Sequence, residues 1–278
     1  MNPGLYVVAT PIGNLGDLSP RATETLRSAD LIAVEDSRHS GRLLQACGVA
    51  TPTLSYHDHN AARVLDRIVS CLSGGGRVAL ICDAGTPLIS DPGYRLVRHA
   101  QDNGFAVYTV PGACAAIAAL SVAGLPTDRF RFEGFLPPRA TAREKRLDAL
   151  AGESITLVFY EAPHRLEDSL RSMIRVLGGE REAVLARELT KVFETVRRDS
   201  LAALADFVAA DPNQSRGEIV LLVAGAAHDP DDLSPEAVTL LERLAEELPA
   251  RRAAAVVADV TGLRRQALYD YLLRQRAE

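Results

Sequence analysis

The chain has 278 residues, a formal net charge of −5 at pH 7, and 47% hydrophobic residues. This length allows two compact domains, or one domain with an appendage, and the apolar content is enough for a substantial core. No apolar run is long enough to cross a bilayer and the amino terminus lacks the charged start of a signal peptide, so we expect a cytoplasmic protein without membrane association.

The cysteines and histidines give little indication of a metal site. The four cysteines are widely spaced and form no Cys-x-x-Cys pair, which favours free thiols over disulfides or zinc. His57 and His59 form a close pair, but no further ligand clusters with them. We therefore expect no metal.

The first part of the chain alternates short β-branched runs with longer helical patterns. Strands are predicted at 5–9, 31–34, 78–82 and 106–110, with helices at 20–28, 61–72 and 93–103. Ser19 before Pro20 is a typical start of a helix. This alternation predicts a mostly parallel sheet with helices on both faces.

A second α/β region follows a small-residue helix predicted at 113–123. Its predicted strands are 128–136, 156–160, 183–187 and 218–223, and its helices are 165–177 and 201–209. We expect an N-terminal α/β domain at 1–119 and a C-terminal α/β domain at 120–227.

The third region, residues 228–278, separates its charges along the chain. Residues 229–247 carry a net charge of −6, and residues 249–276 carry +4. Residues 250–273 are predicted to form two helices joined at Thr261 and Gly262, which fits a helix-turn-helix unit. Charge alone leaves both nucleic-acid binding and a dimerising hairpin open.

The most informative segment is the loop that follows the predicted strand 78–82. It contains Asp83, Gly85, Thr86, Pro87 and Asp91. In open α/β sheets ligands bind outside the carboxyl ends of the strands. Two glycines permit close backbone approach and two prolines stiffen the path, whereas an ordinary strand-to-helix turn rarely needs so many special residues.

Two further loops should converge on the same edge of a doubly wound sheet. Residues 10–17 leave the first strand and residues 35–39 leave the second. The first loop lacks Gly-x-Gly-x-x-Gly, so the dinucleotide fingerprint fails, although Glu35 is suitably spaced for a ribose contact. A nicotinamide enzyme therefore stays open as a weak alternative.

Eight segments in one order resemble a known family. They are 10–18, 33–40, 56–60, 83–93, 123–130, 133–137, 186–191 and 216–221. Together they resemble the bacterial 16S ribosomal RNA ribose methyltransferases, a family within the tetrapyrrole methylase-like S-adenosylmethionine (SAM) methyltransferases. The resemblance extends to the tail, and departures such as Ser90 and Ala162-Pro163 are minor.

The resemblance implies an α/β fold of two domains with mostly parallel or mixed sheets, a helix-turn-helix-like tail, and a homodimer. It implies methylation of the ribose 2′-hydroxyl of a cytidine in the decoding region of 16S rRNA within the small ribosomal subunit. By motif position, SAM should lie between the α/β domains and contact Pro11, Gly13, Asp83, Ala84, Gly85, Thr86, Ile89, Ser90, Gly112, Ala113, Tyr160, Leu189, Gly217 and Glu218.

Methyl transfer to a hydroxyl needs alignment of the reacting atoms and an acceptor for the proton. Sequence does not decide which candidate is the base: Glu35, Asp36, Arg38 and His39 on one rim, or Glu161, Glu188 and Glu194 on the other. RNA contacts are expected from Arg139, Arg143, Arg146, Arg165, Arg264 and Arg265, with an affinity that falls steeply with salt.

Two other functions compete with this interpretation. A methylase acting on a tetrapyrrole carbon predicts a wide apolar cleft and no basic tail. A non-catalytic regulator predicts a tail that reads DNA and a core that senses a nucleoside.

Overall fold

The computed structural model describes residues 1–56, 61–226, 233 and 235–275. Residues 1–225 form one compact unit, and the chain from Ala226 onward forms a second. The predicted histidine pair, His57 and His59, lies outside the described residues.

The first sheet is parallel throughout. Its strands are β1 (Gly4–Val8), β2 (Leu31–Val34), β3 (Thr53–Ser55), β4 (Arg77–Leu80) and β5 (Val107–Val110), in the order β3-β2-β4-β1-β5. Each neighbouring pair runs parallel. The carboxyl ends of these strands therefore meet at one edge, as predicted.

Within residues 1–56 and 61–110, four helices cover the two faces of this sheet. They are α1 (Pro20–Ser28), α2 (Ser37–Ala46), α3 (Ala61–Ser73) and α4 (Tyr94–Asp102). Side chains alternate along each strand, so Val8 and Ile32 face the cluster that contains α1 and α2, while Leu5 and Val78 face α3 and α4. The Ser19 hydroxyl accepts a hydrogen bond from the Ala22 amide, which explains why α1 begins where the sequence predicts.

The second sheet is mixed. It follows helix α5 (Ala115–Ala123) and contains β6 (Phe130–Phe135), β7 (Thr156–Glu161), β8 (Glu182–Arg187), β9 (Thr195–Ser200) and β10 (Ile219–Val223). The order is β6-β7-β10-β8-β9, with only β6 and β7 parallel. Helices α6 (Ala140–Asp148), α7 (Leu166–Leu177) and α8 (Leu201–Ala210) cover one face, and α5 covers the other.

The proposed division at residue 119 falls inside α5. Ala116, Ala119 and Leu120 pack with Val158 and Val220 of the second sheet. The helix as a whole therefore belongs to the core of that sheet, and the division into two α/β domains stays a prediction.

The described residues of the carboxyl-terminal unit form a small bundle of three helices, α9 (Pro235–Glu247), α10 (Ala250–Thr261) and α11 (Arg265–Gln275). Leu241, Val257 and Leu268 lie in its own apolar core. Gly262 ends α10 with a φ of 75°, a left-handed conformation that suits glycine. Within the described ranges, no helix is long and apolar enough to cross a membrane.

Candidate cofactor and catalytic site

A cavity of about 350 Å³ lies between loops at the carboxyl edge of the first sheet and the strand ends of the second. This volume falls within the range of small-molecule sites, and most of the wall is apolar. Nine of the predicted cofactor residues line it: Ala84, Gly85, Thr86, Ile89, Ser90, Tyr160, Leu189, Gly217 and Glu218. The wall also contains residues outside the predicted cofactor set, among them Ile12, Asp91, Ala115, Phe135 and Val220.

The other five predicted cofactor residues lie beside the wall in the chain. Pro11 and Gly13 flank Ile12, and Asp83 precedes Ala84. Gly112 brings the backbone against Ala9, since an added Cβ would lie 3.0 Å from the Ala9 Cβ. The Ala113 carbonyl accepts a 2.9 Å hydrogen bond from the Thr86 hydroxyl. These residues therefore support the wall rather than form it.

The loop between β4 and α4 is held in an unusual backbone conformation. Leu88 and Ser90 have φ values of 75° and 67°, which non-glycine residues rarely adopt. Thr10 and Gly85 exchange two backbone hydrogen bonds of 2.8 and 3.1 Å, which fix the loop to the end of β1. Strain of this kind, of order 1–3 kcal/mol per residue, concentrates at ligand sites.

The loop after β8 carries a second pair of such residues, Glu188 and Thr190, with φ values of 52° and 66°. The Lys191 ammonium lies 2.7 Å from Glu188 Oε1 and 3.1 Å from Glu218 Oε2. Its aliphatic chain lies against Gly13, where an added Cβ would be 2.4 Å from Lys191 Cε. Lys191 thus connects the first loop of one sheet to the strand ends of the other.

Two of the predicted base candidates, Glu188 and Glu194, form hydrogen bonds with this loop and with its neighbours, and they do not line the cavity. Although burial opposes it, hydrogen bonds from Lys191 and the Glu218 amide hold the pKa of Glu188 below its ordinary value. The Glu194 carboxylate accepts a 2.6 Å hydrogen bond from the Thr190 amide.

Glu161 does line the cavity, but its carboxylate is already bound to neighbouring residues of the protein. It accepts hydrogen bonds from the Ser169 hydroxyl and the Ala162 amide, and Arg165 Nε lies 3.4 Å from it. Arg165 also donates to the Leu136 carbonyl. Both side chains hold the end of β7 in place, and the RNA contact of Arg165 stays a prediction.

The rim formed by residues 35–39 is more open. Asp36 caps α2 by accepting a 2.8 Å hydrogen bond from the Arg38 amide, which lowers the pKa of the Asp36 carboxyl. The side chain of Arg38 is 94% exposed, and His39 is exposed. The Asp36 amide donates to Asp83 Oδ1 over 3.3 Å, which places this rim beside the loop after β4. None of the four candidates, Glu35 included, lines the cavity itself.

The sequence places Asp91 on the loop after β4 but does not single it out as a candidate base or cofactor contact. Asp91 lines the cavity, and burial together with the carboxylates of Glu35 and Asp83 raises its pKa to about 6. Tyr160 lies on the opposite wall, where burial and Cys114 raise the pKa of its phenol. Asp91 belongs to the loop singled out by sequence, but its electrostatic surroundings depend on β2, which is distant in the chain.

The predicted RNA-contacting arginines divide into buried and exposed groups. Arg143 is only 4% exposed and donates to the Ser172 hydroxyl over 2.9 Å, which does not favour an RNA contact, and its assignment to RNA stays a prediction. Arg146 pairs with Glu133. Arg139, Arg264 and Arg265 are exposed.

Residues 4–205 match the family described as Tetrapyrrole (Corrin/Porphyrin) Methylases, and residues 231–276 match the RsmI C-terminal HTH domain. A ribosomal RNA small subunit methyltransferase I from Pseudomonas aeruginosa is 56% identical, covering 99% of this chain and 98% of the relative. The chain belongs to the ribosomal RNA small subunit methyltransferase I family.

Another member of this family, from Haemophilus influenzae, is 50% identical over 96% of this chain and 95% of its own. A uroporphyrin-III-C-methyltransferase from Thermus thermophilus shares the fold, with a TM-score of 0.57 and 20% identity over 80% of this chain and 94% of its own. Membership confirms the predicted fold class, the methyltransferase activity and SAM as the cofactor.

The cavity fits the cofactor of this family. Its apolar wall can cover an adenine ring and a methylene chain, while Gly85 and Gly217 leave backbone uncovered for close approach. An added Cβ at Gly217, where φ is 81°, would lie 2.3 Å from the Glu188 Cδ. Asp91 and Glu218 add two acidic side chains to this mostly apolar wall.

Proposed function

We propose that this protein methylates the ribose 2′-hydroxyl of a cytidine in the decoding region of 16S rRNA, in the cytoplasm and with SAM as donor. The observation that carries the proposal is 56% identity to a ribosomal RNA small subunit methyltransferase I over nearly the full length of both chains. The matched tail domain adds to this support, because a porphyrinoid methylase has no need of it.

SAM would be held by the loop Ala84–Ser90 on one side and by Tyr160, Leu189 and Gly217 on the other. When bound, it supplies a methyl carbon already activated by the neighbouring positive sulfur. The strained loop positions the donor without rearrangement, and the apolar wall excludes water that would compete with the hydroxyl. The chain's task is therefore largely alignment and proton removal.

RNA binding would depend on exposed arginines. Arg139 lies at the start of α6, and Arg251, Arg252, Arg264 and Arg265 are exposed in the tail unit. One guanidinium group can bind two oxygens of a phosphate at once, and each such contact releases counterions from the RNA. We expect an affinity for the small ribosomal subunit that falls steeply with salt, despite the acidic net charge.

The proposal includes a homodimer. Large apolar side chains are exposed on α5 and on the loop before β9, the strand that α5 packs beside. Ile117 is 53% exposed, Val192 92% and Phe193 72%. Apolar surface of this kind is typical of contacts between subunits. Sedimentation equilibrium of the wild type and of Phe193→Ser would test the interface.

The function is tested with radiolabelled SAM and small subunits from cells that lack this methylation, followed by nuclease mapping. We expect label in one 16S fragment, on a ribose that resists alkaline cleavage at its 3′ side. Fully methylated subunits serve as the control and should take up no label.

A methylase acting on a porphyrinoid carbon is the second candidate, favoured by the matched family and by the apolar cavity. It predicts label on a pyrrolic acceptor and none on rRNA. That result would reverse the order of the two functions.

A further inference from the structure

Three carboxylates stand in the cavity wall among its described lining residues: Asp91, Glu161 and Glu218. Two of them are already engaged. Glu161 is bonded to Ser169 and to the Ala162 amide, and Glu218 lies 3.1 Å from the Lys191 ammonium. Across the described part of the chain, Asp91 forms no ion pair, and the neutral Cys82 thiol is its side-chain hydrogen-bond partner. Its negative charge is therefore not compensated by a neighbouring cation, and it is the carboxylate of the three best able to act on a bound molecule.

The surroundings of Asp91 make it a suitable base. Glu35 at the end of β2 and Asp83 after β4 bring two further negative charges towards it, and the Cys82 thiol lies beside it. Tyr160 lies on the opposite wall of the cavity and bears a phenol whose raised pKa keeps it neutral. Burial and the two acids raise the pKa of Asp91 to about 6. A base whose pKa lies just below the working pH is ionised and still binds a proton readily.

We propose that Asp91 accepts the proton that the acceptor hydroxyl loses during methyl transfer. This role rests on the proposed function. The hydroxyl oxygen forms a bond to the methyl carbon, the carbon–sulfur bond breaks with its electron pair left on sulfur, and the proton passes to a carboxylate oxygen of Asp91. Water then removes the proton, which restores the carboxylate for the next turnover.

The variant Asp91→Asn keeps the size of the side chain and removes its basicity. Loss of a positioned base typically lowers turnover by about 10²–10⁴-fold. We expect such a loss at saturating SAM and small subunits, with the SAM dissociation constant, measured by calorimetry, changed less than about threefold. In the wild type kcat should fall at acid pH with an apparent pKa near 6, and this acid limb should be absent from Asp91→Asn.

A second measurement does not depend on activity. In wild-type protein labelled with ¹³C at aspartate carboxyl carbons, one resonance should titrate near pH 6, and Asp91→Asn should lack it. Asp102→Asn is the matched control, because Asp102 lies at the end of α4 with its side chain 59% exposed and paired with Arg98. This variant should retain the wild-type kcat, pH profile and SAM affinity.

Two results would overturn the role of Asp91. Loss of SAM affinity by the same factor as turnover would make Asp91 a cofactor ligand, and normal turnover by Asp91→Asn would show that another group takes the proton. If wild-type protein labelled no rRNA, the proposed function itself would fail. If it labelled rRNA and Asp91→Asn did so equally well, only the role of Asp91 would fail.

Discussion

Removing the charge of Asp91 should stabilise the folded protein at neutral pH. Its pKa is raised to about 6 in the folded chain, so between about pH 4 and pH 6 the folded state binds more protons than the unfolded state. The free energy of unfolding therefore falls as the pH rises through this window. At about 1.4 kcal/mol per pKa unit the full shift corresponds to ~3 kcal/mol. Asp91 is only about half buried, and screening by solvent reduces the expected effect to about 1 kcal/mol.

Thermal unfolding of wild-type protein and Asp91→Asn across pH 4 to pH 8 measures this effect. The two proteins should unfold at similar temperatures at pH 4, and the variant should gain about 2–4 °C at pH 8. Asp102→Asn should show no comparable trend. A difference that is the same at pH 4 and pH 8, or a loss of stability at pH 8, would refute the electrostatic reasoning.

Three further predictions concern the cavity, the basic residues and the tail. Gly217→Ala places a methyl group 2.3 Å from a neighbouring carboxyl carbon at a positive φ, and a strain of about 1–2 kcal/mol should weaken SAM binding about tenfold or more in calorimetry. Gly152→Ala, with open space around it, should bind normally. Arg143→Met should lower stability by about 1–3 kcal/mol in urea unfolding without changing RNA affinity, whereas Arg264→Ala should reduce the salt slope of RNA binding by about one. Deletion of residues 226–278 should abolish methylation of small subunits but leave SAM affinity within about threefold, as measured by filter binding and calorimetry.

Elements with a strong local signal could be predicted from sequence. Helix α1 begins and ends at the predicted residues, since Ser19 and Pro20 mark its start, and the apolar run of β2 was also found without error. Helix α2 and the strands β3 and β9 were not predicted. The sequence of β9, Thr195–Ser200, contains two arginines and an aspartate, and its extended conformation depends on antiparallel pairing with β8.

The site divides in the same way. Loops at strand ends can be recognised from glycine, proline and acidic residues, and for that reason many predicted cofactor residues line the cavity. The state of each acid is set by its surroundings in the fold. The Ser169 hydroxyl of α7 donates a hydrogen bond to the Glu161 carboxylate, and Glu35, which is distant in the chain, raises the pKa of Asp91. Arg143 lies in a basic stretch like its neighbours, and only the packing of α6 on α7 shows that it is buried.

The contact between Lys191 and Gly13 makes two distant parts of the chain mechanically dependent on each other. A methyl group added at Gly13 would displace the lysine, and the displaced ammonium would release Glu218 on the far wall. A substitution at Gly13 or at Lys191 should therefore change both sides of the cavity. Enlarging the cavity by engineering would require paired substitutions, one on each side of the contact between Lys191 and Gly13.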